Sequence, residues 1–429
     1  MIENRPPVDR VVLVGAPPKN MSQRLSEEHL EELARLTETA GGEVAAVLRQ
    51  RIDTPNPRFY IGEGKARELR DLVGDSESNL VIFDEELSPA QGKNLEDLLG
   101  IRVMDRPELI LDIFATRARS REAKLQVELA QLEYLLPRLR RMWSHLSRIR
   151  GGIGLRGPGE TQLETDRRLI GMRISDLKGK LKDVAKARAV RRKGRAGEFR
   201  AALVGYTNAG KSSLLKALSG ADLFVEDRLF ATLDPATRSV DLGAGHRALI
   251  TDTVGFIRKL PHHLIASFRS TLEEAREADL ILHVIDAADP DWEEHREVVF
   301  EVLEELDLGH RPQLLVFNKV DRMTHEEEET LRTRIQALDP SPAVFVSALR
   351  PDSMAKVRDA LMARVRARMA RFRVSVPAED GETLAALYRE GEVLGQEGNG
   401  VRVEVDVRLS EPLRGRLARK PGIEIRDPA

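Results

Sequence analysis

One eight-residue segment in the middle of the chain constrains the fold more than any other. It reads Gly205-Tyr-Thr-Asn-Ala-Gly-Lys-Ser212, follows the apolar run Arg200–Val204 and precedes a helical pattern. In a strand–turn–helix of this kind, backbone N–H groups and the helix N-terminus surround a phosphate group. The lysine reaches the β- and γ-phosphates of a nucleotide, and the hydroxyl after it binds Mg²⁺. We therefore predict a phosphate-binding loop made of Gly205, Tyr206, Thr207, Asn208, Ala209, Gly210, Lys211 and Ser212.

The same strand–loop–helix order recurs through residues 198–371. Further apolar runs at 248–251, 280–285, 314–317 and 344–346 are each followed by polar residues. Repeated units of this kind predict an α/β fold, with a doubly wound parallel sheet and helices on both faces. A ligand of such a sheet binds beyond the carboxyl ends of the strands, which is where the polar residues lie.

Three short motifs at these strand ends predict a guanine nucleotide as the ligand. Asp252-Thr-Val-Gly255 offers an acid that can hold Mg²⁺ through water and an N–H that can sense a γ-phosphate. The carboxylate of Asp321 offers two acceptors to the two donors of the guanine edge, whereas adenine would leave it unpaired. A backbone N–H of residues 347–349 can donate a hydrogen bond to the guanine carbonyl oxygen. We therefore predict a Ras-like P-loop G domain that binds GTP and GDP through the phosphate loop and through Asp252, Thr253, Val254, Gly255, Asn318, Lys319, Val320, Asp321, Ser347, Ala348 and Leu349.

A candidate switch segment lies between the phosphate loop and Asp252. It consists of Phe230, Ala231, Thr232, Leu233 and Asp234. We predict that Thr232 joins Ser212 as the second protein ligand of Mg²⁺ only when the γ-phosphate is present, so that hydrolysis releases the segment. The alternative is an ordinary loop threonine. Lys211, Thr232 and Gly255 are the predicted catalytic residues.

Phe256 occupies the position at which Ras-like enzymes hold the glutamine that orients the attacking water. Phenylalanine has neither a donor nor an acceptor for that water. We therefore predict slow hydrolysis by the protein alone, and a partner that repositions a water or supplies a group. Asn208 is a candidate ligand for K⁺ beside the phosphates, and the alternative is a loop residue that tolerates unusual backbone angles.

Residues 108–197 combine heptad patterns with an excess of positive charge. Apolar residues spaced four and three apart run from Leu125 to Leu146 and from Ile170 to Val184, which predicts an antiparallel helical hairpin. Pro137 is expected to kink or divide the first helix, and the glycine-rich segment 151–168 is expected to form a flexible tip loop. From Arg117 to Arg200, 23 Lys and Arg face 9 Asp and Glu, an excess of 14. This excess favours a polyanionic partner, although a solvated helical face is the simpler alternative.

The two ends of the chain predict further domains. Residues 1–107 alternate strand and helix patterns, with Ser26 as a candidate helix cap, and are typical of a parallel α/β domain. Residues 372–429 predict a small α+β domain. The expected organisation is therefore 1–107, 108–197, 198–371 and 372–429.

Composition restricts the chemistry and the compartment. The chain of 429 residues has no cysteine, which excludes disulfides, cysteine zinc sites and thiol catalysis. It has no apolar run of about 18 residues and no apolar signal-peptide core at its start, so a transmembrane segment is not expected. We expect a monomer in the cytoplasm, and peripheral association with a membrane surface is the alternative that the basic block allows.

These motifs together resemble the HflX family of translational GTPases. The resemblance rests on Gly157-Pro-Gly-Glu-Thr-Gln-Leu-Glu-Thr-Asp-Arg-Arg168, the phosphate loop, Phe230-Ala-Thr-Leu-Asp-Pro235 and Asp252-Thr-Val-Gly-Phe256. Ala236 departs from the second threonine that is frequent in the family. The resemblance implies an N-terminal α/β domain, a helical linker, a G domain and a C-terminal domain. It also implies binding to the large ribosomal subunit and its RNA, stimulation of GTP hydrolysis by the ribosome, and splitting of stalled or stressed ribosomes.

Two other functions stay open on the residues alone. One is a nucleotide-gated RNA-binding or remodelling module that is not restricted to ribosomes. The other is a signalling switch that recruits a protein effector, and this function leaves the positive charge of residues 117–200 unexplained.

Overall fold

A computed structural model describes residues 8–142, 158–193, 198–221, 226, 228–243, 245–260, 274–338 and 341–427. The chain divides into two compact units. The first holds residues 8–142, 158–185, 228–233 and 259–260 of the described chain, and the second holds the others. Among the described helices, none combines the length and the apolar character needed to cross a membrane.

The first unit contains a four-stranded parallel sheet in the order β2-β1-β3-β4. Its strands are β1 (Arg10–Gly15), β2 (Glu43–Arg49), β3 (Leu80–Phe83) and β4 (Arg102–Asp105). Its helices are α1 (Gln23–Ala40), α2 (Glu63–Asp75), α3 (Pro89–Leu99) and α4 (Arg106–Arg117). The alternation of apolar runs and amphipathic segments therefore produces the parallel α/β architecture that was predicted for this part of the chain.

The first helix begins earlier than its sequence suggests. Ser22 caps α1 by accepting a hydrogen bond from the Leu25 N–H, and Ser26 lies buried inside the helix. The prediction of a cap at Ser26 is therefore wrong. Ser22 satisfies the Leu25 N–H, which has no backbone partner in the first turn, so the helix already begins at residue 23. At the other end, Gly41 takes the left-handed conformation and ends the helix.

A cluster of buried charges lies at the end of β3. Arg106 donates to Asp84 at 2.7 Å and also pairs with Glu32, and all three side chains are almost fully buried. Lys259, which belongs to the same unit, pairs with Asp84. Burial opposes ionisation of Asp84, but Arg106 and Lys259 outweigh it and hold the pKa of the carboxyl below its ordinary value. The cluster therefore stays charged inside the unit because each charge has a partner.

Two long helices, α5 (Arg121–Met142) and α6 (Pro158–Lys193), form the predicted helical linker. Leu129 and Leu177 of the two heptad patterns are buried. Ion pairs join the helices from Arg173 to Glu128 at 2.7 Å and from Lys178 to Glu133 at 2.9 Å. One residue of each apolar seam is therefore buried and charges beside the seams pair between the helices, whereas Leu125, Leu132 and Leu136 of the first seam are partly exposed.

The first helix continues through Pro137, so it is not divided there, and a kink at Pro137 stays a prediction. The expected extent of the tip loop is wrong. The second helix begins at Pro158, so residues 158–168 are helical and not part of a loop. Proline fits the first helical turn because its missing N–H would have no partner there, and residues 160–168 contain no glycine or proline. The remaining part of the predicted tip, residues 151–157, lies outside the described residues.

The second unit contains a six-stranded sheet in the order β10-β9-β8-β5-β7-β6. Its strands are β5 (Phe199–Gly205), β6 (Ala236–Gly243), β7 (His246–Asp252), β8 (Leu280–Asp286), β9 (Gln313–Asn318) and β10 (Ala343–Phe345). Its helices are α7 (Lys211–Ser219), α8 (Trp292–Glu305), α9 (His325–Leu338) and α10 (Met354–Ala367). Helices α7 and α10 pack on one face of the sheet, and α8 and α9 pack on the other. The doubly wound α/β fold is thus confirmed.

One strand of this sheet was not predicted. Strand β6 runs antiparallel to β7 at the edge of an otherwise parallel sheet. Only Val240 and Leu242 on β6 are buried, and the exposed Asp241 lies between them. A strand with one solvent-facing side alternates in this way and lacks the continuous apolar run of its neighbours. A prediction based on apolar runs therefore passes over it.

The C-terminal part of the second unit is a small α+β structure, as predicted. Its antiparallel sheet has the order β12-β13-β11-β14, and its apolar face is covered by two helices. The strands are β11 (Ala370–Pro377), β12 (Glu392–Gly398), β13 (Arg402–Leu409) and β14 (Glu424–Arg426). The helices are α11 (Gly381–Glu390) and α12 (Glu411–Leu417).

The turn between β6 and β7 touches this C-terminal structure. Gly243 and Gly245 both have left-handed backbones, with φ of +87° and +77°. A Cβ atom at Gly245 would lie 2.6 Å from the Arg389 carbonyl oxygen of α11, whereas among the described residues nothing lies within 4 Å of a Cβ at Gly243. The two glycines therefore share their backbone requirement and differ in their contact with α11.

We expect alanine at Gly245 to destabilise the second unit more than alanine at Gly243. Each substitution places a side chain on a left-handed backbone, which costs about 1–2 kcal/mol. At Gly245 the new methyl group also overlaps a backbone carbonyl, and overpacking of this kind adds about 1–3 kcal/mol. Urea denaturation of Gly243→Ala and Gly245→Ala, followed side by side, measures the difference. Equal decreases in the free energy of unfolding of the two variants would show that the hairpin turn is not held against α11.

Candidate nucleotide-binding site

The predicted site residues of the second unit converge at the carboxyl ends of four strands. The phosphate loop follows β5, and Asp252 ends β7, the neighbour of β5. Asn318 ends β9, and Ser347 lies two residues after β10. Because parallel strands place their carboxyl ends at one edge of the sheet, motifs that are more than 100 residues apart in sequence lie together.

The glycines of the phosphate loop are required by close approaches. Gly205 has φ of +156°, and a Cβ there would collide with the Val284 carbonyl oxygen of β8. Gly210 has φ of +92°, and a Cβ there would collide with the Asn318 side-chain nitrogen. Asn208 also has a left-handed backbone, with φ of +61°, and its side chain is exposed. The loop therefore keeps a fixed curve that residues with side chains at 205 and 210 could not adopt.

Lys211 lies buried inside this curve. Its ammonium donates hydrogen bonds to the carbonyl oxygens of Gly205, at 3.1 Å, and Tyr206, at 2.8 Å. Burial lowers the pKa of Lys211 to about 8; Asp252 opposes this shift and Lys319 adds to it. A buried ammonium that donates to neutral carbonyl oxygens is stabilised further when an anion approaches it. This arrangement fits a phosphate group.

Ser212 and Asp252 provide oxygen atoms that suit Mg²⁺. The Ser212 hydroxyl donates to the Asp252 carboxylate at 2.6 Å, and Asp252 is buried. Mg²⁺ prefers oxygen ligands and usually combines one or two protein groups with water and substrate phosphates. The described residues contain no group of three or more His, Asp or Glu that could hold a metal by themselves. A hydroxyl and a carboxylate beside a phosphate loop therefore fit a metal that is shared with the nucleotide.

The segment after Asp252 is attached to the phosphate loop by its backbone. The Thr207 N–H donates to the Phe256 carbonyl oxygen at 2.7 Å, and the Phe256 N–H donates to the Gly205 carbonyl oxygen at 3.1 Å. A Cβ at Gly255 would lie 2.9 Å from the Thr207 Cα atom and 3.0 Å from the Lys211 ammonium, so a side chain here would overlap the backbone of the phosphate loop. The Phe256 ring is 1% exposed. Phe256 is therefore a core residue here, consistent with its lack of any group that could orient water.

The other residues of this segment have structural contacts. The Thr253 hydroxyl donates to the Leu203 carbonyl oxygen at 2.6 Å, and both Thr253 and Val254 are buried. Their side chains therefore support the sheet, while the backbone of the segment faces the phosphate loop.

The Asn318 side chain joins three parts of the site. Its amide nitrogen donates to the Ala209 carbonyl oxygen of the phosphate loop at 3.0 Å, and its amide oxygen accepts from the Ala348 N–H at 3.0 Å. Val320 packs in the core, and Asp321 is partly exposed. The adjoining loop contains Ser347, which is fully buried, and Leu349, which is 78% exposed. Asn318 thus connects the phosphate loop with the loop that contains Ser347, and Asp321 has access to solvent.

The switch residues divide between the two units. Phe230, Ala231, Thr232 and Leu233 belong to the first unit and Asp234 to the second. In the first unit, Phe230 packs edge-to-face against Phe114 of α4, with ring centroids 4.7 Å apart. Phe230 and Leu233 are buried, and Ala231, Thr232 and Asp234 are partly exposed. Apolar anchors therefore hold the segment on each side of Thr232.

Two features of the site were missed by sequence reasoning. Asp286, at the end of β8, pairs with the Lys319 ammonium at 2.6 Å, and Lys319 has a left-handed backbone with φ of +65°. The Tyr206 side chain contacts Arg258 and His295. Asp286 could have been found by the strand-end rule that located Asp252. The partners of Tyr206 have no local signal in the sequence.

Comparison with known proteins identifies the group to which this chain belongs. The chain is 42% identical to a GTPase HflX of Magnetococcus marinus over 99% of both proteins. The chain belongs to the HflX family of GTPases. It is also 45% identical to the GTPase HflX of Alkalihalophilus pseudofirmus over 89% of both chains. The resemblance stated from the motifs is thereby confirmed.

Three family models match successive parts of this HflX-family chain. They are described as GTP-binding GTPase N-terminal at residues 27–115, GTP-binding GTPase middle region at 117–195, and 50S ribosome-binding GTPase at 200–319. Among solved structures, the chain is similar to a GTP-binding protein of Sulfolobus solfataricus in complex with GDP. That similarity covers 82% of this chain and 99% of the other, at 25% identity and a TM-score of 0.45.

Proposed function

We propose that the chain is an Mg²⁺-dependent enzyme that hydrolyses GTP to GDP and phosphate at the strand-end site. The observation that carries this proposal is the buried Lys211 ammonium inside the phosphate loop, a loop that Asn318 also holds through the Ala209 carbonyl oxygen. In this reaction Lys211 stabilises the charge on the β- and γ-phosphates. Asp321 selects guanine through its two acceptors, and the Gly255 N–H contacts the γ-phosphate.

Mg²⁺ would be held by Ser212 and Thr232, with Asp252 acting through water. When bound, the ion neutralises charge that develops on the phosphate oxygens. Membership of a GTPase family and the oxygen donors at Ser212 and Asp252 support this assignment. Asn208, whose exposed side chain follows a left-handed backbone, is our candidate for contact with K⁺.

Hydrolysis by the isolated protein is slow in this proposal, because Phe256 is buried and has no polar atom for the attacking water. The large ribosomal subunit and its RNA are the partner that we propose to accelerate it. The basic excess of residues 117–200 and the printed description of the matching family model, 50S ribosome-binding GTPase, support this partner. Attraction to RNA phosphates would supply affinity that falls with added salt.

We propose further that the protein works as a cytoplasmic monomer with the four regions 1–107, 108–197, 198–371 and 372–429. In the GTP state, binding between the ribosomal subunits separates them, and hydrolysis then releases the factor. An RNA-remodelling module without ribosome preference is less well supported, because the family model matched at 200–319 is described by ribosome binding. Association with a membrane surface has support only from the basic charge.

The decisive experiment measures GTP hydrolysis with and without purified large ribosomal subunits. We expect stimulation of at least tenfold for the wild type and none above background for Lys211→Ala. Structured RNA free of ribosomal protein is the control for the RNA-module function, and we expect it to stimulate much less. Equal stimulation by naked RNA would favour that module, and no stimulation by either would contradict the ribosomal proposal.

The same preparation tests how splitting is driven. With a non-hydrolysable GTP analogue, we expect sedimentation to reveal one round of subunit separation, because binding supplies the energy. Intact ribosomes with the analogue, but separated subunits with GTP, would contradict this order of events.

A further inference from the structure

Tyr206, the second residue of the phosphate loop, uses its backbone and its side chain in different directions. Its carbonyl oxygen accepts a hydrogen bond from the Lys211 ammonium at 2.8 Å. Its phenol oxygen accepts a hydrogen bond from the backbone N–H of Arg258 at 3.0 Å. Tyr206 is 7% exposed. One buried residue therefore connects the phosphate-binding lysine with the segment that follows Gly255.

The Tyr206–Arg258 hydrogen bond completes a three-point attachment. The other two points are the hydrogen bonds between Thr207 and Phe256 and between Phe256 and Gly205, at 2.7 and 3.1 Å. All three join residues 205–207 to residues 256–258, directly after Gly255. The backbone of Gly255 is thus held at one end by strand β7, which ends at Asp252, and at the other end by these bonds.

Helix α8 holds both partners of this hydrogen bond. The Tyr206 ring stacks on His295 with centroids 3.9 Å apart and planes 13° from parallel. The Arg258 guanidinium, which is also buried, pairs with Glu294 at 3.1 Å. Glu294 and His295, neighbours on one helix, therefore hold the side chains of Arg258 and Tyr206 in place.

We infer that Tyr206 is a positioning residue that aims the Gly255 N–H at the γ-phosphate of GTP. This inference rests on the proposed function. Loss of the phenol oxygen would leave the buried Arg258 N–H without its acceptor, and residues 255–258 would rearrange to satisfy it. GDP has no γ-phosphate and does not depend on this alignment. Tyr206 therefore affects the triphosphate state selectively, although it lies in the loop that holds both nucleotides.

The variant Tyr206→Phe tests the inference, because it removes only the hydroxyl group. We expect the dissociation constant of a non-hydrolysable GTP analogue to rise about tenfold, while that of GDP rises less than threefold. Calorimetric titration of both nucleotides measures the ratio of their dissociation constants. A merely structural role of Tyr206 in the loop would leave this ratio unchanged. Equal weakening of both nucleotides, or no weakening of either, would overturn the inference.

A second variant and a matched control sharpen the test. His295→Leu removes the stacked ring, and we expect it to reproduce part of the effect. In the double variant, the dissociation constant of the GTP analogue should rise by less than the product of the two single fold-changes, because both substitutions act through the same hydrogen bond. Independent, multiplying losses would contradict this coupling.

Tyr134→Phe is the matched control. It removes another buried hydroxyl, which donates to Asp105 at 2.7 Å in the first unit, and it should leave the ratio of the two dissociation constants unchanged. Failure of the wild type to bind GDP would contradict the proposed function instead.

Discussion

Replacing Lys211 by alanine is expected to raise the dissociation constants for GTP and GDP by at least about 100-fold. The ammonium is buried inside the phosphate loop, where its attraction to phosphate is weakly screened. Loss of one partner of a buried charge pair costs about 3–5 kcal/mol, and each 1.4 kcal/mol corresponds to a factor of ten. Calorimetry with either nucleotide in the presence of Mg²⁺ measures the loss directly.

The matched control is Lys216→Ala on the same helix, α7. Lys216 is exposed, so this variant removes the same charge without changing the interior of the phosphate loop. We expect it to change nucleotide affinity less than threefold. Similar losses in both variants would mean that net charge, and not the buried position of Lys211, determines affinity.

Replacing Asp321 by asparagine is expected to exchange guanine for xanthine. The carboxylate presents two acceptors to the two donors of guanine, whereas an amide presents one acceptor and one donor. Xanthine has a carbonyl oxygen in place of the guanine amino group and matches the amide. Sites that pair a polar group of the ligand reject the mismatched partner strongly. We expect the variant to lose about 100-fold or more in affinity for GDP and to prefer XDP.

Competition between GDP and XDP for the wild type and for Asp321→Asn measures this exchange. Asp352→Asn is the control, because Asp352 is exposed in the turn Pro351–Ser353 that follows the base-side loop. This control makes the same change from carboxylate to amide, but at a position outside the predicted base contact. Unchanged preference for guanine in Asp321→Asn would place base recognition elsewhere.

The parts of the fold that sequence reasoning located correctly have strong local signals. The strands of the large sheet are continuous apolar runs, because most of them are covered by helices on both faces. Strand ends then bring Lys211, Asp252 and Asn318 to one edge without further information. Strand β6 lacks that signal because its exposed side is polar, and the start of α1 was misplaced because two serines, at 22 and 26, are both reasonable caps.

Contacts between distant side chains could not be predicted in this way. Tyr206 and His295 are 89 positions apart, and their stacking depends on how α8 packs beside β5. The strand-end rule can locate Asp286, but its ion pair with Lys319 depends on how β8 and β9 lie side by side. Periodicity locates elements, whereas such pairs depend on the packing of elements that only the complete fold supplies.

The hairpin of β6 and β7 depends on the C-terminal structure at its closed end. Its open ends lie next to Asp234 and at Asp252, and its closed end packs at Gly245 against the backbone of α11. His246, beside that contact, is buried. A chain truncated at residue 371 would uncover this end of the hairpin while leaving every nucleotide-binding motif in place. Rate constants from such a fragment would describe a hairpin released at its far end, and the full-length protein is the proper reference for them.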